Sequence, residues 1–219
     1  VIPLASGAVM RRTGPEGGLP VVCLNGGTAR PQPGDWSSSI EWLVRRLAPR
    51  HPEIAFHEVR YRVKSWKELD SCIADGRAAL EAATGDAGRP ALLIGFSMGG
   101  AVAIAVAGHP AVTGVVGLAP WIPDRLDLAP LRGRRLAVIQ GGLDGSLPGI
   151  PGVSPAGSRA GAERARAAGI PVTYTLIRGA LHPIALRPFG GRPVPAPRAR
   201  AWARLLSAEL DRFRGQASG

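Results

Sequence analysis

The stretch Ala91-Leu92-Leu93-Ile94-Gly95-Phe96-Ser97-Met98-Gly99-Gly100-Ala101 decides the fold. Ala91 to Ile94 read as a buried strand, Gly95-Phe96-Ser97-Met98-Gly99 matches G-x-S-x-G, and the small and apolar residues 101–107 read as a helix. A serine in that setting sits on a sharp strand-to-helix turn that lifts its hydroxyl above the sheet. Glycines two before and two after it let the backbone fold that tightly without side-chain collision. The N–H groups opening the next helix favour a developing anion. The motif alone is a weak signal, but between an apolar strand and a small-residue helix it marks Ser97 as a candidate nucleophile.

The same alternation extends in both directions. Val21-Val22-Cys23-Leu24 is a short apolar strand that ends at Asn25-Gly26-Gly27. Ser38 with Glu41 forms a capping-box pattern, followed by Ile40, Leu43, Val44 and Leu47 at helical spacing. Residues 54–59 read as a strand, and 66–83 as a helix with Leu69, Ile73, Gly76 and Leu80 on one face. Beyond the serine, strands are expected over 112–118, 136–140 and 172–177. Helices are expected over 159–168, where Gly169 supplies the stop, and over 200–213. The latter carries Trp202, Leu205, Leu206, Leu210 and Phe213 on its apolar side.

Strands alternating with helices predict an α/β fold, and continuous apolar strands predict a mostly parallel central sheet with helices on both faces. No repeat or linker divides the chain, so one domain over 1–219 is expected, with its core at about 20–214. The interval between Leu118 and Arg134 is too short for a large helical cap. Two Pro/Gly-rich stretches, 147–157 and 183–197, read as lids over the cleft or as irregular surface. On such a sheet, functional residues belong just after the strands.

The elbow in this context resembles that of the α/β-hydrolase-fold proteins, and among them a small, single-domain serine esterase of the dienelactone-hydrolase-like kind. The resemblance covers nearly the whole chain. Dienelactone hydrolases use a cysteine where this chain has Ser97, so lactone specificity does not follow from the likeness. The resemblance implies a triad in the order nucleophile, acid, histidine. Serine needs an adjacent base, and the base needs a carboxylate to fix its tautomer. His182, in Gly179-Ala180-Leu181-His182, follows both the elbow and a late strand. His109 lies at the far end of the helix that Ser97 opens, and His51 and His57 precede the elbow. Asp144 ends Gln140-Gly141-Gly142-Leu143-Asp144, resembling the family's strand-end pattern; Asp124, one strand earlier, is the alternative acid.

The resemblance also implies an oxyanion hole of two main-chain N–H groups, one from Met98 and one from the Asn25-Gly26-Gly27-Thr28 loop, with Gly27 preferred and Thr28 next. Relatives often carry His-Gly at Asn25-Gly26, a departure that leaves the main-chain donor in place. Thr28, Trp121, Met98 and the segment 61–66 are expected around the substrate, with Arg62 and Arg187 as candidate receivers of a substrate carboxylate. The implied activity is hydrolysis of carboxylic esters or thioesters with no metal or organic cofactor. A lactonase, a C–C hydrolase on the same triad, and an inactive binding protein remain alternatives.

Charge asks for a separate reading. Lys and Arg total 27 against 16 Asp and Glu, a net of +11. Only Lys64 and Lys67 are lysines, and Gly and Pro are abundant too, a pattern of GC-rich coding. Residues 1–110 carry 12 basic and 10 acidic groups; residues 111–219 carry 15 and 6. No block of like charge and no binding motif accompanies the excess, so nucleic acid is not the expected partner. A small ester or thioester substrate is, with anionic or carrier-bound acyl groups favoured by the positive second half. Cys23 and Cys72 are expected as buried free thiols. Residues 90–123 hold no formal charge, but Gly95, Gly99, Gly100, Gly108, Pro110, Gly114 and Gly117 interrupt the stretch and argue for buried strands and turns over a membrane span. With no signal peptide visible at Val1, a soluble cytoplasmic protein is expected.

Overall fold

The computed structural model describes residues 1–85, 88–146 and 152–217. In chain order the elements are β1 (Ile2–Pro3), β2 (Val9–Thr13), β3 (Leu19–Leu24), β4 (Gln32–Pro33), α1 (Ser38–Leu47), β5 (Ile54–Arg60), β6 (Val63–Lys64), α2 (Leu69–Thr84), β7 (Ala91–Phe96), α3 (Met98–Val106), β8 (Val112–Leu118), β9 (Arg135–Gly141), α4 (Pro155–Ala167), β10 (Val172–Ile177), β11 (Ala185–Leu186), β12 (Val194–Pro195) and α5 (Ala199–Ala217).

Among the described residues eight strands form the central sheet, in the order β1-β2-β5-β3-β7-β8-β9-β10. β1–β2 and β2–β5 pair antiparallel, and every other neighbour pairs parallel. The chain leaves β3 for β5 on one side and returns to β7 on the other. The gap between the β3 and β7 carboxyl ends is therefore a topological switch point, where open α/β sheets place their ligands.

Strand alternation divides the core in two. Val22, Leu24 and Leu93 face one side with buried residues of α2, α3 and α4. Val21, Cys23, Leu92, Ile94 and Phe96 face the other with α1 and α5. Trp202 and Phe213 of α5 are wholly buried, each removing a large apolar surface from water and contributing up to about 3 kcal/mol. Both cysteines are free and buried. No helix among the described residues is long and apolar enough to cross a membrane.

Several boundaries differ from expectation, for local reasons. α1 is capped by Ser37, whose hydroxyl accepts from the Ile40 amide at 3.3 Å; Ser38 is not the cap. Ser38 Oγ instead donates to the Ala185 carbonyl, and Ser39 Oγ accepts from the Ile184 and Ala185 amides. These bonds fasten the β11–β12 hairpin to the start of α1, so much of the 183–197 stretch is a tied hairpin. Residues 147–151 of the other Pro/Gly-rich stretch lie outside the described residues. The helix expected over 66–83 divides into a 3-10 turn, Trp66–Glu68, and α2. α4 starts four residues early because Ser154 caps it through the Gly157 amide and Pro155 fits its first turn. Between β8 and β9 the only helical piece is the 3-10 turn Ala129–Leu131, so the chain has no helical cap there.

Candidate active site

Ser97 ends β7 and opens α3 with φ 55° and ψ −121°, a conformation that non-glycine residues adopt only under strain of about 1–3 kcal/mol. Its amide donates to the Leu118 carbonyl at 3.0 Å, and its carbonyl accepts from Gly100 at 2.9 Å and Trp121 at 2.9 Å. These three bonds hold the turn from both neighbouring segments. The flanking glycines are sterically required: a Cβ on Gly95 would lie 2.3 Å from the Gly99 carbonyl oxygen, and one on Gly99 would lie 2.2 Å from that of Leu24.

A second residue, Ala119 at the end of β8, also has positive φ, 46°. It turns the chain so that Pro120 packs on Gly100 and Gly117 and the Trp121 amide reaches the elbow.

Asp144 and His182 meet after β9 and β10. His182 Nδ1 lies 2.7 Å from Asp144 Oδ2. Asp144 is 1% exposed, and its charge is met by two further donors, Gln140 Nε2 at 2.9 Å and the Val153 amide at 2.9 Å. Gln140 Nε2 also reaches the Val153 carbonyl at 2.8 Å, so it ties the acid to the loop that covers it. Gly152 leaves room for that covering: a Cβ there would lie 2.2 Å from Asp144 Oδ1. Because Nδ1 faces a carboxylate, the neutral imidazole carries its proton there and presents Nε2 as a free base. The Phe96 ring stands 5.0 Å from the imidazole and limits its swing.

Ser97 and His182 line one cavity of about 690 Å³, with Gly26 and Gly27 on its floor. Ser97 Oγ has no hydrogen-bond partner among the described residues. Nor do the amides of Gly27 and Met98. The Gly26 amide is taken, donating to Asn25 Oδ1 at 2.6 Å. The Asn25 side chain thus fixes the loop, and the Gly27 and Met98 amides stay unclaimed beside Ser97. The walls are aromatic, from Trp36, Trp66 and Trp121, and polar, from Lys64, Asp35 and Arg187. Lys64 Nζ pairs with Asp35 at 2.7 Å.

Three expected roles fail on geometry. Arg62 does not line the cavity. Its Nε donates to Asp75 at 2.8 Å and its amide to the same carboxylate at 2.9 Å, so it neutralises a wholly buried acid of α2. Thr28 is absent from the lining as well, because its hydroxyl bridges the Arg30 and Lys64 carbonyls. Asp124, the alternative acid, is exposed on the surface and paired with Arg164 at 2.7 Å. His109 accepts from the Ala111 amide, away from the cavity. Lys64 belongs to the segment 61–66 expected around the substrate, and Gly152 and Val153 to the Pro/Gly-rich stretch 147–157, whereas Gln140 and Trp36 were not anticipated. Gln140 had a visible signal, a polar residue closing an apolar strand four positions before the aspartate. Among the described residues no three His, Cys, Asp or Glu side chains group as a metal would need.

A mostly parallel sheet, a strained serine at its switch point, and an aspartate and a histidine following later strands define the α/β-hydrolase fold. Comparison with solved structures agrees. An α/β serine hydrolase homologue from Coxiella burnetii is 18% identical over 93% of this chain and 90% of its own, with a TM-score of 0.62. An α/β serine hydrolase without lid from Xanthomonas campestris is 18% identical over 83% of each chain, with a TM-score of 0.59. A dienelactone hydrolase-like promiscuous phosphotriesterase from metagenomic libraries is 17% identical over 98% and 96%, with a TM-score of 0.63. No family model and no curated protein matches the sequence. The chain has the α/β-hydrolase fold, and the solved structures similar to it are serine hydrolases, esterases and dienelactone hydrolase-like proteins.

Proposed function

We propose that the protein is a serine hydrolase of carboxylic esters, thioesters included, working through Ser97, His182 and Asp144. The observation that carries the reading is the convergence on one cavity of the strained Ser97 and an imidazole whose Nδ1 is bound by a buried carboxylate. Ser97 Oγ attacks the substrate carbonyl carbon while His182 Nε2 takes its proton. The oxygen becomes an anion held by the Gly27 and Met98 amides. Collapse of that intermediate breaks the bond to the leaving alcohol or thiol, which receives the proton from His182. Water then attacks the acyl-serine, giving its proton to His182, and the acid departs as the proton returns to Ser97. Asp144 keeps the imidazole oriented and stabilises its cationic form.

Solved neighbours described as an α/β serine hydrolase homologue and an esterase support the same chemistry class. A fluorophosphonate probe tests the reading. It should form one adduct, mapped to Ser97, and ester turnover should stop in proportion to labelling. Labelling that persists in Ser97→Ala, or turnover that survives full labelling, would refute it.

A further inference from the structure

We infer that the surface groove formed by Trp42, Arg45, Arg46, Arg192 and Pro193 is a phosphate-binding subsite that seats the distal, phosphorylated end of the ester or thioester substrate. The inference builds on the hydrolase reading above. The groove has a volume of about 270 Å³ and shares both of its walls with the cavity around Ser97. One shared wall is α1: Ser38 and Ser39 line the cavity, while Trp42, Arg45 and Arg46 line the groove. The other is the tip of the β11–β12 hairpin: Leu186 and Arg187 line the cavity, while Arg192 and Pro193 line the groove. Arg187 joins the two by donating to the Gly191 carbonyl at 2.9 Å. From Ser38 to Arg45 the helix advances about 10 Å at about 1.5 Å per residue. A linear substrate lying along α1 would carry a group that distance from its acyl end.

The charge at the groove is not balanced by the protein. Arg46 and Arg192 have no carboxylate partner among the described residues. Arg45 reaches only Glu41, at 3.8 Å, and Glu41 already accepts from Arg11 at 2.9 Å and Arg187 at 2.7 Å. Arg11 is shared with Glu58 at 2.8 Å. Five arginines therefore stand against two glutamates, an excess of three positive charges around one helix face. Arg46 lies 5.8 Å over the Trp42 ring, which steadies the guanidinium and gives the groove a flat apolar floor. A carboxylate offers two oxygens and one charge, which a single guanidinium satisfies. A phosphate monoester offers three acceptor oxygens and nearly two charges, matching several converging forks. The groove is shallow, so a free anion binds weakly, and the tether to the acyl group supplies the effective concentration.

The test has two arms. In the first, Trp fluorescence and NMR titrations follow inorganic pyrophosphate binding to the Ser97→Ala protein at low salt, with Trp42→Phe assigning the fluorescence change. Saturable millimolar binding that weakens at least tenfold in Arg46→Ala/Arg192→Ala is expected. No binding, or binding unchanged in the double variant, would overturn the subsite whatever the enzyme hydrolyses. In the second arm, the active protein is given butyrate esters of matched alkyl chains ending in hydroxyl or phosphate, over a graded series of lengths. The phosphorylated ester should have about tenfold higher kcat/KM at its best length, in KM more than kcat. Salt and the double variant should abolish that advantage, and pyrophosphate should compete against the phosphorylated ester alone. Equal rates for the two esters, or an equal fall for both in the double variant, would overturn the substrate role. Pyrophosphate binding with neither ester cleaved would sink the hydrolase reading and, with it, the substrate role, leaving only an anion site.

Discussion

Replacing Gly27 by alanine tests the proposed oxyanion hole at the residue whose side chain is absent. The new Cβ would lie 2.3 Å from Met98 Sδ, 2.8 Å from Trp66 Cδ1 and 3.0 Å from Met98 Cε. Carbon atoms in contact prefer about 3.5–4.0 Å, so something must yield by about 1 Å. Met98 is wholly buried, so its sulfur has little room to retreat and the crowding falls on the Gly27 backbone. Such a shift takes the Gly27 N–H out of reach of the oxyanion. Loss of one donor costs roughly 100- to 1000-fold in kcat, about 2.7–4 kcal/mol of barrier. The crowding itself costs about 1–3 kcal/mol of stability. The assay is single-turnover acylation by a chromogenic ester, with a thermal melt to show that the variant is folded. Met98→Ala sharpens it, because it deletes both sulfur-side contacts and keeps the Met98 amide. In the double variant only the Trp66 clash remains, so acylation should recover about tenfold over Gly27→Ala alone, a coupling expected of neighbours. A folded Gly27→Ala protein that acylates within threefold of the parent would refute Gly27 as the donor.

Other expectations follow from the same contacts. Asp144→Asn should lower kcat by about 10⁴-fold, because the amide no longer selects the Nδ1-protonated imidazole, whereas Asp124→Asn should leave kcat/KM within twofold; the reverse order would move the acid to β8. Arg62→Ala should destabilise the fold by about 1.5–3 kcal/mol in urea titrations, because buried Asp75 keeps only a backbone donor, and should leave KM of the folded enzyme unchanged; a raised KM with unchanged stability would return Arg62 to the substrate. His57 is 5% exposed, and burial, aided by Arg12 and Arg89, lowers its pKa from 6.5 to about 4. The unfolded chain therefore binds the extra proton between those values, and the stability His57 leaves intact above pH 6.5 is lost as pH falls toward 4, by about 3 kcal/mol in all. Between pH 7 and pH 5 the parent should lose about 2 kcal/mol more than His57→Phe; parallel losses would show that His57 does not titrate against folding.

The elbow was legible because everything it needs lies within a few residues: an apolar run, two glycines and a small-residue helix. The Asp144–His182 pair was legible for a weaker reason, since strand ends bring distant residues to one edge of the sheet without saying which of them face each other. That gap explains the misreadings. Arg62 follows β5 much as Asp144 follows β9, but its direction is set by Asp75 on α2, thirteen residues on and wholly buried. Three consecutive serines begin α1, and any could cap it. Ser37 does so because Ser38 and Ser39 are claimed by the Ile184–Ala185 backbone, about 146 residues away. Trp36, Asp35 and Lys64 reach the cavity because the two-residue ribbon β4–β6 brings their segments together, and a Gln-Pro strand shows no periodicity. β2 was hidden by its own sequence, Val-Met-Arg-Arg-Thr, in which Arg11 is half-buried only because Glu41 and Glu58 receive it.

With 27 basic against 16 acidic side chains, several arginines share single acids in this fold. Glu41 takes Arg11, Arg45 and Arg187, and Glu209 takes Arg135 and Arg212. Burial opposes ionisation of Glu41, yet the bonds from Arg187 and Arg11 hold its carboxyl below the usual range. At such a node the guanidiniums are redundant: removing one leaves the carboxylate served by others, so a single Arg→Ala change there costs little. Asp75 is the opposite case, with Arg62 its one side-chain cation among the described residues. Stability is therefore sensitive where the ratio is one to one, and tolerant where several arginines crowd one acid. The crowded nodes are also where uncompensated charge accumulates. The Glu41 node lies between the Ser97 cavity and the Trp42 groove, so an arrangement that makes α1 robust also makes its face attractive to an anion.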